Sequence, residues 1–293
     1  MDYNKFRFNA VIDWIEIEIT TIKSTNFQTI RRHCGLKYVE AIGAGAGGAA
    51  TNFIFKFHDP KNWLGIIDML KEIEIEFLLA NEPIVKSIEV SFDAYSRNAT
   101  SDELVELTGR FYRYLTNPVS QNHRFSGRKI GDVEFICSRR DVEKFLELGR
   151  NICIGNNKDD ESGFNKYKAD EEYMQIYCKK TDNDGTPITV SDHRARIEIR
   201  LQGTKLPCST LSEWRGFKFE SLSQYFNFRT DNIQVIEKAP EWYKKAVHSV
   251  VAQLGAVRAY QRRKHSLLTL PDKELNNQVY ESLRCLTNRM RIT

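Results

Sequence analysis

Tyr177 lies in the stretch Met174-Gln175-Ile176-Tyr177-Cys178-Lys179-Lys180, and further along comes Arg194-Ala195-Arg196-Ile197-Glu198-Ile199-Arg200-Leu201. A phenol in a basic strand, beside a strand whose carboxylate is flanked by arginines, has the groups needed to cut a phosphodiester covalently. The phenol supplies the nucleophile, the carboxylate can hold a metal, and the cations can take up phosphate charge. Strand period puts Ile197, Ile199 and Leu201 on one face and Arg196, Glu198 and Arg200 on the other. Such residues also occur in strands for ordinary reasons, because aromatic rings pack and a charged face is usually a solvated one.

A third segment adds acid. Ile88-Glu89-Val90-Ser91-Phe92-Asp93 reads as a strand with Glu89 and Asp93 on one side. A sheet face that buries Glu89, Asp93 and Glu198 needs a cation or hydrogen bonds in compensation. Carboxylate oxygens suit hard cations, Mg2+ or Mn2+. Lys179, Lys180 or Arg196 would add positive charge at the same place.

The elements that must position these groups follow from periodicity. Ile12 to Thr20 alternates strictly and reads as a strand, with Trp14, Glu16 and Glu18 opposite Ile15, Ile17 and Ile19. Phe27 to Cys34 predicts a short helix. Tyr38 to Ala41 and Asn52 to Phe57 predict strands around Gly43-Ala44-Gly45-Ala46-Gly47-Gly48. That run lacks a following Lys-Ser/Thr, so it reads as a hairpin tip and not a nucleotide-binding loop. Helices are expected at Lys61 to Leu79 (core candidates Leu64, Ile67, Met69, Leu70, Ile73 and Phe77), at Ser101 to Leu115, capped by Thr100 or Ser101, and at Arg139 to Leu148. Strands are expected at Ile84 to Phe92, Val133 to Cys137, Asn151 to Gly155, Tyr173 to Lys179 and Arg194 to Leu201. Thr210 to Phe226, Pro240 to Arg263 and Leu268 to Arg291 read as helical.

This order implies an α+β fold of mainly antiparallel sheets with helices on one face. The expected organisation is a catalytic region over 1–230, in two β-rich halves of about 1–120 and 121–230 that read as a diverged repeat, and a basic helical region over 231–293.

Composition bounds the class. The chain has 293 residues, 41% hydrophobic and 28% charged, enough for a folded core. Its apolar runs are too short for a bilayer, and Met1 to Lys5 lacks a signal-peptide core, so a soluble cytoplasmic protein is expected. The six cysteines show no CxxC spacing, which favours free thiols. None of the six histidines forms a His-x-His pair, so a carboxylate-only metal site is expected; His193 reads as a strand-end residue. The net charge of +4 is modest, but from Glu237 to the end eleven Lys/Arg face five Asp/Glu, a local excess of +6. Its densest part contains Arg258, Arg262, Arg263 and Lys264 around Tyr260. This pattern suits DNA phosphates as well as a solvated helix face.

Ile152-Cys153-Ile154-Gly155, the Tyr177 strand and the Arg-x-Glu strand through Glu198 resemble, in that order, the core of the Rep_trans class of replication initiators. These are the rolling-circle plasmid and filamentous-phage Rep proteins and the related relaxases of conjugative elements. Ile88 to Asp93 is similar to the family's upstream acidic strand, and Ile12 to Thr20 to its opening strand. The resemblance implies a metal-dependent nickase-ligase that cuts one strand at an origin with a tyrosine, stays on the 5′-phosphate and leaves a 3′-hydroxyl. It implies Tyr177 as nucleophile, Glu198 and Glu89 as metal carboxylates, and Asp93 as a further ligand. It also implies origin DNA, a host helicase and a second copy of the chain as partners.

The chain departs from the family in having Glu89 where Asp is usual and Ala94 where a second acid is frequent. Its Gly155–Tyr173 segment is longer than usual, which leaves Tyr167 and Tyr173 as rival nucleophiles. A non-catalytic DNA-binding regulator, or a conjugative relaxase of the same class, is the alternative reading.

Overall fold

The structure, a computed structural model, describes residues 1–116, 123–126, 134–135, 142, 144–146, 148–155, 171–182, 185–236 and 269–291. The fold is α+β. Among the described residues nine strands form one sheet: β1 (Phe6–Asn26), β2 (Val39–Ile42), β3 (Ala49–His58), β4 (Ile84–Ser96), β5 (His123–Ser126), β6 (Glu134–Phe135), β7 (Ile152–Gly155), β8 (Glu172–Lys179) and β9 (Arg194–Gln202). Their spatial order is β2-β3-β1-β4-β9-β8-β7-β5-β6. The β1–β3, β2–β3, β5–β6, β5–β7 and β7–β8 pairings are antiparallel. A second sheet pairs β10 (Arg229–Asp231) with β11 (Thr269–Pro271). The helices are α1 (Phe27–Cys34), α2 (Trp63–Phe77), α3 (Ser101–Tyr114), the short α4 (Leu211–Gly216) and the C-terminal α5 (Lys273–Met290), with a single turn at Ile233–Ile236.

The chain forms two compact units built from interleaved segments. One comprises Met1–Asn9, Phe92–Ile199 and Leu222–Ser282; the other comprises Ala10–Ser91, Arg200–Ser221 and Leu283–Thr293. The units are therefore not consecutive stretches of sequence, because β1, β4 and β9 each supply residues to both.

In the first unit the core is aromatic. Phe8 stacks on Phe92 with centroids 5.5 Å apart, and Phe92 continues to Phe111 and Phe226. Helix α3 presents Leu104, Leu107, Thr108 and Phe111 as its buried stripe and packs against β8. Its start is fixed by a capping box in which Thr100 Oγ1 accepts from the Glu103 amide and Glu103 accepts from the Thr100 amide. The same unit has a buried polar clamp. Asp272 accepts from Tyr3 Oη at 2.6 Å, from the Leu275 amide at the start of α5, and from Arg110. Burial, together with the Asp272 hydrogen bond, pushes the Tyr3 phenol well above its ordinary pKa, so it stays a neutral donor.

In the second unit, α2 buries Trp63, Ile66, Leu70, Ile73 and Phe77. The sequence places Leu64 and Ile67 inward, but Leu64 is exposed and Ile66 takes the inward position. Asn62 caps the helix one residue ahead of Trp63, and burying the large indole sets the face of the first turn. Trp214 of α4 is fully buried, and its indole N–H donates to the Cys208 carbonyl.

Two helical expectations also change. Thr210 to Phe226 is α4 followed by a 3-10 segment, Phe219–Phe226. Leu268 to Arg291 opens with strand β11, and α5 starts only after the Asp272 cap. Pro240 to Arg263 lies outside the described residues, and only part of Arg139 to Leu148 is described.

Replacing Asp272 by Ala removes the carboxylate partner of the half-buried Arg110, leaves the buried Tyr3 hydroxyl without its acceptor and removes a helix cap. The expected loss is about 3–5 kcal/mol, read as a fall in the urea midpoint with an unchanged m-value.

Candidate active site on the sheet face

Strand alternation decides what faces out. On β8, Glu172, Met174, Ile176 and Cys178 are buried, and Cys178 reaches Thr108 of α3. Gln175, Tyr177 and Lys179 therefore lie on the face that α3 does not cover, and each retains partial exposure. Tyr173 shares their parity but is only 2% exposed, which separates it from Tyr177 as a group able to meet a strand of DNA. Tyr167 lies outside the described residues.

The charged face of β9 is not a solvated face. Arg196 is 2% exposed and Glu198 5%. Charges buried to this degree must be paired. Arg196 grips Asp93 of β4 with both arms of its fork: Nε donates to Oδ1 at 2.6 Å and Nη2 to Oδ2 at 2.7 Å. Its Nη1 donates to Glu198 Oε1 at 3.2 Å. The same Oε1 accepts from the Tyr177 hydroxyl at 2.6 Å. The Tyr177 phenol on β8, the Glu198 carboxylate and Arg196 guanidinium on β9, and the Asp93 carboxylate on β4 thus form one hydrogen-bonded line across three adjacent strands. A phenol that donates to a carboxylate has a built-in acceptor for its proton, which a nucleophilic tyrosine requires.

No known family model matches this chain. Nor does any curated protein. A solved rolling circle replication initiator protein from Geobacillus stearothermophilus is similar to it. That likeness covers 78% of this chain and 89% of that one, with a TM-score of 0.38 and 14% sequence identity. At that score the functional reading depends on the side chains and not on the match.

The carboxylates divide into two kinds. Asp93 is completely buried, and both its oxygens are engaged by Arg196; Arg194 Nε lies 3.4 Å from Oδ2 and the Tyr95 hydroxyl donates to Oδ2. Asp93 therefore stands as an ion-pair partner and not as the metal ligand expected from the sequence. Glu89 is different. Burial, then the neighbouring Asp13 carboxylate, pushes its pKa up to about 7 against the opposing pull of Arg200, the Trp14 indole and Lys56. Asp13 and Glu89 bring carboxylate oxygens within 4.8 Å of one another. Oxygen donors with this excess of negative charge fit a hard divalent cation.

Asp13 was missed by strand alternation, and β1 shows why. Its buried residues are even-numbered through Ile12 and odd-numbered from Ile15. The strand changes parity at Asp13-Trp14, so both side chains turn to the same side. The signal in the sequence is the three-residue step from Ile12 to Ile15, where a regular strand steps by two.

Lys179 reaches Asp182 at 3.9 Å. Arg258, Arg262, Arg263 and Lys264 lie outside the described residues. Among the described residues no helix is long and apolar enough to cross a membrane.

A carboxyl whose folded pKa is raised holds a proton that the unfolded chain has already released. Between the ordinary value of 4.5 and about 7, native stability therefore falls as pH rises. Glu89→Gln should flatten this part of the stability–pH curve and raise the melting temperature most at and above pH 7. Because a cation must displace the Glu89 proton, Mg2+ or Mn2+ should raise the wild-type melting temperature more strongly as pH increases through the same window, and the Gln variant should lose most of that gain. Melts from pH 4.5 to 8, with and without metal, check both.

Proposed function

We propose that the chain is a DNA nicking-closing enzyme that initiates rolling-circle replication, with Tyr177 as nucleophile. The observation that carries this reading is the 2.6 Å hydrogen bond from the Tyr177 hydroxyl to Glu198 Oε1, on the open side of β8 and in line with a buried guanidinium. The order of the Ile-Gly, Tyr and Arg-x-Glu segments, which resembles that of Rep_trans initiators, agrees with it.

In the nicking step the Tyr177 proton passes to Glu198, and the phenolate oxygen forms a bond to phosphorus. The P–O3′ bond breaks, and the departing 3′-oxygen leaves as a hydroxyl with the proton returned from Glu198. The 5′-phosphate remains on the tyrosine. Closing is the reverse, with a 3′-hydroxyl attacking the phosphotyrosine. Arg196 is a positioning residue: held by Asp93, it fixes Glu198 Oε1 against the phenol. Lys179 flanks the nucleophile on the same strand face and adds positive potential where the phosphate arrives. Asp13 and Glu89 would hold the divalent cation, which when bound would polarise a non-bridging phosphate oxygen and neutralise developing charge. Origin DNA is the substrate; a host helicase and a second copy of the chain are the partners the family resemblance suggests.

The test is a covalent protein–DNA band on a denaturing gel, after incubation with Mg2+ or Mn2+ and single-stranded fragments tiling the genetic element that encodes the chain. Tyr177→Phe should lower adduct formation by more than about 10³-fold while fragment binding persists. Glu198→Gln should slow it by roughly 10²–10⁴-fold. An adduct that survives in Tyr177→Phe would move the nucleophile to another tyrosine. Binding without any adduct in the wild type would favour a non-catalytic DNA-binding protein.

A further inference from the structure

The line of contacts from Tyr177 does not stop at Asp93. Beyond it, within the same unit, lie Tyr95 of β4, Arg194 of β9 and Arg7 of β1. The Arg194 guanidinium carbon is 5.3 Å from the Tyr95 ring centroid and the Arg7 guanidinium carbon 5.1 Å. Two cations thus converge on one phenol ring. Arg194 is only partly satisfied: Nη1 donates to the Asp192 carbonyl, while Nε is buried without a hydrogen-bond partner although it lies 3.4 Å from Asp93. Asp93 cannot answer for both cations, since Arg196 already holds both of its oxygens. Arg7 is exposed, and among the described residues it forms no ion pair.

Two guanidiniums beside one ring, one sharing an already engaged carboxylate and the other exposed, give this part of the face a positive potential that favours an anion. A phosphodiester oxygen pair fits the donor geometry of guanidinium forks better than any single-point acceptor does. Burial and the Asp93 charge raise the Tyr95 pKa, so its phenol stays neutral and serves as a platform for the two cations.

We propose that Arg7 and Arg194, gathered on Tyr95, form a subsite for a backbone phosphate of the same single-stranded DNA whose phosphate Tyr177 attacks. This rests on the nicking reading above for the identity of the strand. The register of that strand then runs across the sheet, from β8 over β9 and β4 toward β1, and Arg7 holds its far end.

Fluorescence anisotropy with labelled oligothymidylate, on the full chain over a salt series, tests this without requiring cleavage. Arg7 is exposed, so Arg7→Ala and Arg7→Glu should fold with unchanged melting temperatures. Loss of one phosphate contact should reduce the slope of log affinity against log salt by about 0.7 in Arg7→Ala. Arg7→Glu should bind more weakly still, and Arg7→Lys should recover most of the slope. Wild-type affinity and slope in both Arg7→Ala and Arg7→Glu would overturn the subsite even if the Tyr177 adduct forms normally. An Arg7-dependent slope in a protein that never forms an adduct would retain the subsite and remove the nicking reading. No measurable binding of oligothymidylate by the wild type would also overturn the subsite.

Discussion

The bidentate pair between Arg196 and Asp93 is the constraint on which the rest of the site depends. Two full charges sit almost out of reach of water, and desolvating them costs several kcal/mol each. The fork geometry, with both arms near 2.7 Å, is what offsets that cost. Such a pair need not add net stability compared with apolar residues of the same shape. What it does is fix a guanidinium at a single position and orientation. Its remaining nitrogen then fixes Glu198, and Glu198 fixes the Tyr177 hydroxyl. Lysine could not take this place, because one ammonium cannot hold a carboxylate at two points and still direct a third bond along the strand.

The acidic side of the face follows the opposite logic. Asp93 and Glu198 are supplied with a cation by the protein, whereas Glu89 and Asp13 are left to repel each other, with Arg200, Lys56 and the Trp14 indole only partly opposing. A carboxyl pushed toward neutrality by its neighbours is a group prepared to release its proton to an arriving cation. The carboxylates are thus distinguished by how each is neutralised: Asp93 and Glu198 by an arginine, Glu89 by a retained proton.

Among the described residues the aromatic core lies on one side of the strands that carry this arrangement. The aromatic series through Phe8, Phe92, Phe111 and Phe226, with α3 over β8, occupies the even-numbered faces of β4 and β8. The odd-numbered faces are left for Asp93 and Tyr95 on β4 and for Gln175, Tyr177 and Lys179 on β8. Placing functional groups on strand interiors rather than on loops gives them the stiffness of the sheet.

Much of this was written in local sequence. Alternation and turn chemistry located β3, β4, β8, β9, α1, α2 and α3 within a few residues and only the middle of β1, which extends six residues further at each end, because amphipathic strands and capped helices are set by near neighbours. The pairing of Tyr177 with Glu198 was legible because both lie mid-strand in segments of clear period. What alternation could not give was the partner of each charge. Asp93 and Arg196 are far apart in the chain, and only strand order makes one the counter-ion of the other, so a residue that read as a metal ligand became a structural anion. The turning of Asp13 onto the acidic face depends on a break in strand parity, and the boundary of each compact unit depends on strands that serve both. Residue type and period fixed which groups were available; the order of strands in the sheet decided which of them met, because a charge takes its role from whatever neutralises it.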